Sequence, residues 1–149
     1  MSFQNESGQI RWKLHFRSSP DAVFQKLISN EGRAAFWAES AVEKEGNIHF
    51  VFPSGVGWKG RILESDPPHR FKVEYYGGSI TTFDLESDGA GGTDLSLIDQ
   101  SVSDKYKTEV IAGAGWISVL MALKASVDFG VDLRNHDPKR TWDQGYAEN

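Results

Sequence analysis

The longest apolar pattern in the chain lies near its C-terminal end. Over residues 115–131, Trp116, Leu120, Leu123 and Val127 recur at i, i+4, i+7 and i+11, which is one stripe of an α-helix. Ile117, Met121 and Phe129 widen that stripe, so the pattern predicts a helix more buried than a surface helix needs to be. Upstream the period shortens to two. Residues 9–16 alternate Ile10, Trp12, Leu14 and Phe16 with Arg11, Lys13 and His15, the mark of a half-buried strand. The same alternation runs through 47–52 (Ile48, Phe50, Phe52), 58–65 (Trp58, Gly60, Ile62) and 70–76 (Phe71, Val73, Tyr75). It continues in 79–87 (Phe83, Leu85) and 93–102 (Leu95, Leu97), while 39–45 is a weaker, mostly charged candidate.

Between the first strand and the others the signals are helical. Ser18-Ser19-Pro20-Asp21 joins a capping serine to a proline in the first turn, and Val23, Phe24, Leu27 and Ile28 supply a helical face. Residues 29–32 (Ser-Asn-Glu-Gly) read as a break, and 33–37 as a second short helix. Gly77-Gly78 predicts a tight hairpin, and 45–47 and 88–92 predict two further turns. Asp66-Pro67-Pro68 fits only a turn or an edge, because proline has no ladder donor. Such short loops imply an antiparallel meander. The predicted order is a strand, two short helices, about five or six strands by turn counting and a long helix. This is an α+β domain, either an ordinary two-layer sandwich with a solid core or a strongly bent sheet wrapped around the helix.

Composition narrows the picture. One domain of 149 residues, 39% hydrophobic, has a proper core available and does not read as disordered. The formal net charge is −5 with no Lys/Arg block, which disfavours nucleic acid or an anionic membrane as the main partner. There is no cysteine, so disulfides, thiolate catalysis and Cys-bound zinc are excluded. The polar N-terminus lacks a signal-type apolar run and no stretch is long and apolar enough for a bilayer span, so the expected setting is cytoplasmic, without membrane insertion.

Two segments bring a family into view. Ser19-Pro20-Asp21-Ala22-Val23-Phe24, followed by Phe36-Trp37, resembles the opening of the START-like (SRPBCC) superfamily, and more narrowly its branch of homologues of the activator of the Hsp90 ATPase. Gly115-Trp116, Val119-Leu120 and Leu123-Lys124 resemble the final helix of that branch. The resemblance spans roughly residues 9–131. It implies a helix-grip fold, in which a curved antiparallel sheet wraps around the C-terminal helix. It also implies a cavity that commonly takes a hydrophobic small molecule. The chain departs from the pattern in lacking the separate N-terminal domain of the eukaryotic Hsp90 activators, and in the extension at 132–149.

The chain holds nine Phe, five Trp and four Tyr. Phe50, Trp58, Tyr75 and Phe83 have inward strand parity, and with Trp37, Trp116, Leu120 and Lys124 they form the expected ligand-binding set. Trp37 would stand at the mouth of the sheet, gating it or covering the core's end. Lys124 would either pair with Asp128 one turn on or lean into the mouth toward an acidic ligand. Asp84 and Asp99 lie in apolar strand contexts; buried, either is a candidate general base, and exposed, a solubilising residue. His15, His49, His69 and His136 form no metal pattern, and no cofactor is expected. Gly55-Val56-Gly57 is not a phosphate loop, and Ser118 and Ser126 have no nucleophile-elbow context. The tail contains Trp142 and Tyr146, so it is expected to dock on this domain or on a partner. The leading functional expectation is binding or transport of a small hydrophobic molecule. The alternatives are an enzyme of cyclase, dehydratase or hydrolase type in the same cavity, and a co-chaperone or other interaction module with a protein partner or as a homodimer.

Overall fold

The computed structural model describes residues 9–100 and 114–148. The alternating segments become strands β1 (Gln9–Phe16), β2 (Ser40–Lys44), β3 (Asn47–Val51), β4 (Gly57–Asp66), β5 (Arg70–Glu74), β6 (Ile80–Ser87) and β7 (Thr93–Gln100). They form one antiparallel sheet in the order β1-β7-β6-β5-β4-β3-β2. Strand β1 pairs in register with β7, from Gln9 opposite Gln100 to Phe16 opposite Thr93, and this joins the first strand to the far end of the meander. A bulge at Ile62/Glu64 in β4 lets the long strand bend while Ile62 stays opposite Val73. The end of the 93–102 prediction lies outside the described residues.

Helix α1 (Pro20–Ile28) starts as its sequence indicates. The Ser19 hydroxyl accepts from the Ala22 amide at 3.2 Å and Pro20 occupies the first turn. Helix α2 (Asn30–Ala34) corrects the expected helix over 33–37. Ser29 is no break: it closes α1 and also caps α2, its hydroxyl accepting from the Gly32 amide at 3.0 Å. Gly32 is there for close approach, since a Cβ would stand 2.5 Å from the Lys26 Cα. The Gly77-Gly78 hairpin is looser than a two-residue turn; residues Tyr76–Gly78 make a short 3-10 turn, with both glycines at positive φ.

Helix α3 (Ala114–Phe129) lies along the inner face of the sheet. It starts beside β7, where Trp116 bonds Asp99, and ends beside the exit of β1, where Asp128 bonds Arg17 and Ser18. Its buried side carries Trp116, Val119, Leu120, Ala122 and Leu123, in one core with Phe24, Phe50, Phe71, Phe83, Leu95 and Leu97. This is the helix-grip arrangement. The wider stripe read from the sequence is corrected: Ile117, Met121 and Phe129 are 43, 46 and 58% exposed. A helix resting on a single layer buries one side only, and these three positions fall outside that side. Among the described residues no helix is long and apolar enough to cross a membrane.

Candidate functional site

Rings from separate elements meet at the end of the helix–sheet interface where α3 begins. Trp37, on the segment between α2 and β2, is central. Its ring centroid lies 4.9 Å from Phe50 on β3, 5.5 Å from Tyr75 at the end of β5, 5.7 Å from Phe83 on β6 and 5.9 Å from Trp116 on α3. Trp58 on β4 joins through Tyr75 at 5.4 Å and Phe52 at 4.5 Å. These separations are those of rings in contact, edge-on or tilted. Six of the eight expected site residues are therefore brought together. Leu120 is buried one turn along the same side of α3 as Trp116. Lys124 is not in the group; its ammonium donates to the His15 carbonyl at the other end of the helix. Of the two expectations for Lys124, pairing with Asp128 or leaning into the mouth, neither direct contact is formed. Asp128 accepts from the Arg17 amide at 3.0 Å, and from the Ser18 amide at 3.1 Å and hydroxyl at 2.7 Å. Lys124 acts on it only through space.

The cluster has polar tips turned inward. The Trp37 indole N–H donates to the Tyr75 hydroxyl at 3.0 Å. Burial pushes the Tyr75 phenol well above its ordinary pKa; the nearby Asp99 carboxyl adds to this, and the indoles of Trp37 and Trp58 oppose it. The Trp58 N–H leans toward the same oxygen without reaching hydrogen-bond geometry. Ser79, whose carbonyl accepts from the Tyr75 amide across the β5–β6 turn at 2.7 Å, is fully buried, and its hydroxyl has no hydrogen-bond partner among the described residues.

Of the two strand aspartates, Asp84 is on the outer face with Arg70 at 2.6 Å, and Asp99 is inside. Asp99 is fully buried and accepts from the Thr81 hydroxyl at 2.7 Å and the Trp116 indole at 3.0 Å. Its place was available from parity, since Asp99 continues the inward series Leu95, Leu97. Thr81 likewise precedes Phe83 and Leu85.

Two arginines hold the segment that carries Trp37, and neither falls in a periodic pattern of the sequence. Arg33 is completely buried; it donates to the Ala41 and Leu27 carbonyls, each at 2.9 Å, and to the Asn30 side chain at 2.6 Å. Desolvation lowers its pKa, against the attraction of Glu43. Arg134 approaches from the tail, which docks on this domain as one branch of the expectation had it. On the opposite face of the sheet an open, polar groove is lined by Arg11, Lys13, Asp66, Arg70, Asp84 and Glu86, a mixture of charges unsuited to an apolar guest. Among the described residues no group of three or more His, Asp or Glu side chains is placed to hold a metal ion.

A family model matches residues 17–128, from the exit of β1 to the last turn of α3. Its description is activator of Hsp90 ATPase homolog 1-like protein. The chain belongs to this family. Solved structures agree on the fold of the Hsp90-activator-like domain. The protein SSP2350 from Staphylococcus saprophyticus superposes with a TM-score of 0.71 at 20% identity, over 85% of this chain and 96% of that one. The Aha1 dimer from Colwellia psychrerythraea gives 0.69 at 18% identity, over 82% and 97%. Protein CV1439 from Chromobacterium violaceum gives 0.66 at 24% identity, over 81% and 98%. No curated protein matches the sequence significantly.

Proposed function

We propose that this protein binds a small hydrophobic or aromatic molecule between the sheet and α3, at the aromatic cluster around Trp37. One observation carries the reading. The hydroxyl of Ser79, the residue paired with Tyr75 of the cluster, is buried without a partner among the described residues, and the Trp58 indole N–H is close to the same condition. Leaving such a group unpaired costs about 1–3 kcal/mol, which a hydrogen-bonding group on a ligand would recover. A ligand with an apolar body and one hydrogen-bonding group answers both features. The body would gain roughly 25 cal/mol per Å² of buried apolar surface, before the costs of association.

A second reading is an enzyme in the same place, acting on an aromatic or polyketide-like substrate. The buried Asp99 carboxyl at the edge of the rings favours it. A third is an interaction module of co-chaperone type or a homodimer, favoured by the family's description and by a structural neighbour that is described as a dimer.

Native mass spectrometry of gently purified protein separates these readings. The expected result is a retained lipophilic adduct that is lost on denaturation and reduced in a Ser79→Ala, Trp37→Ala double variant. A bare monomer mass over repeated preparations, with no binding of a panel of naphthyl ketones, would end the ligand reading. A bare dimer mass would favour the third.

A further inference from the structure

We infer that Arg134, on the C-terminal segment, is a positioning residue that holds Trp37 in the aromatic cluster, so that release of this segment opens the site. That the cluster is a binding site rests on the reading above; that the tail holds Trp37 does not.

Trp37 is the buried centre of the cluster, 2% exposed, while Trp58 and Tyr75 at its edge are partly buried. Rings touch Trp37 from β3, β6, α3 and the end of β5, so a guest that enters among them displaces it or a neighbour. Phe50 and Phe83 are fixed in the ladder of the sheet. Trp37 rides instead on residues 35–39, outside any helix or strand. This segment is anchored from both ends by the tail. Arg134 donates through Nη2 to the Ala34 carbonyl at 2.6 Å and through Nη1 to the Ala38 carbonyl at 2.7 Å, spanning Phe36 and Trp37. The side chain of Arg134 is only 5% exposed. Its other edge faces Asp132, with Nε and Nη2 each 3.0 Å from a carboxylate oxygen. His136 then bridges Asp132 to Glu39, the last residue before β2. One planar fork thus bonds the carbonyls on both sides of Trp37, a task a lysine cannot reproduce. The latch lies beyond residue 128, where the family match ends.

The test uses the full chain labelled with 5-fluorotryptophan. The five tryptophan resonances are assigned by single Trp→Phe variants. Wild type is compared with Arg134→Met, and with Arg134→Lys, which keeps the charge but not the fork. Both variants are expected to shift or broaden the Trp37 signal and leave that of Trp12, on β1, in place. Amide exchange over residues 35–39 is expected to rise by about tenfold or more, as for the loss of charge-assisted bonds to two carbonyls. Association of 8-anilinonaphthalene-1-sulfonate should accelerate by a similar factor. An unmoved Trp37 signal with unchanged exchange in both variants would overturn the inference, and so would a freed Trp37 with unchanged probe association. If the probe binds no form of the protein, the ligand reading fails, and the fluorine signal and exchange still decide whether Arg134 holds Trp37.

Discussion

Gly60 shows how one missing atom shapes the cluster. It faces inward on β4 between Trp58 and Ile62. A Cβ there would stand 3.1 Å from Cε2 of the Phe50 ring, 3.1 Å from the Glu74 carbonyl and 3.3 Å from a Val73 methyl. Phe50 therefore lies over bare backbone, and this lets it reach Trp37 and Tyr75, at 4.9 and 5.1 Å. A methyl group at Gly60 would push against backbone on one side and a fixed ring on the other. Gly60→Ala is expected to destabilise the fold by about 1–3 kcal/mol, the usual cost of overfilling a packed core. It should also change the near-ultraviolet circular dichroism, because the coupled rings move. An unchanged urea midpoint and an unchanged aromatic spectrum would show that Phe50 has slack. At this scale the sequence is readable wherever parity applies. Phe50, Tyr75, Phe83 and Asp99 all point where an i, i+2 count places them. Arg33 and Arg134 carry no such signature. Carbonyls from separate segments converge on each, those of Leu27 and Ala41 on Arg33 and those of Ala34 and Ala38 on Arg134, and that convergence exists only after folding.

Among the elements, α3 is tied at its C-terminal end by a contact distant in sequence. Its Asp128 fills the role of a cap for the chain leaving β1, accepting from two successive amides and a hydroxyl across 110 or so positions. Burial would raise the Asp128 pKa, but the bonds from Ser18 and the Arg17 amide, with Lys124 near, outweigh it and leave the carboxyl below its ordinary range. The Arg17 side chain adds a bond to the Asp128 carbonyl and lies over the Phe129 ring at 4.3 Å. Asp128→Ala leaves the two amides without this acceptor. We expect a loss of about 1–3 kcal/mol in urea unfolding, with α1 and α3 loosening together in hydrogen exchange. If α1 keeps its protection, the cap is incidental. The helix is legible as a helix, and of its stripe Trp116, Leu120 and Leu123 are buried while Val127 is partly buried against the core. What periodicity did not reveal was how narrow that stripe is. An apolar side chain at Ile117 or Met121 reads the same whether a second layer covers it or water does. The short helix α2 was misplaced for a related reason: Ser29-Asn30-Glu31-Gly32 carries turn residues, and only the Ser29 cap and the close approach at Gly32 make them helical.

For the whole molecule, the question is whether the grip and the tail behave as one unit, and pH separates them. His136 faces Asp132 on one side and Glu39 on the other, with the Arg134 cation nearby. The hydrogen bond that His136 donates to Asp132 is the largest influence and raises the His136 pKa above its ordinary 6.5; burial and Arg134 act against it and Glu39 supports it. A raised histidine pKa stabilises the docked state fully below about 6.5, and the contribution fades as pH climbs through the higher folded value. Asp132 is the opposite case. Burial would raise it, but its bonds from Arg134 and His136 bring it from 3.8 down to about 2. Its contribution is present above about 4 and fades as pH falls toward 2. The two windows overlap between roughly pH 4 and pH 6.5, where the tail should be held most firmly. Amide exchange across 132–148, corrected for intrinsic pH dependence, is therefore expected to show greater protection at about pH 5.5 than at pH 8.5. The strands of the grip should change little over that interval, because their ladder bonds do not titrate. His136→Gln should abolish the difference while leaving the Arg134 bonds to Ala34 and Ala38 in place. Equal tail protection at both pH values would show that His136 is a bystander, and that the arginine fork alone joins the tail to the grip.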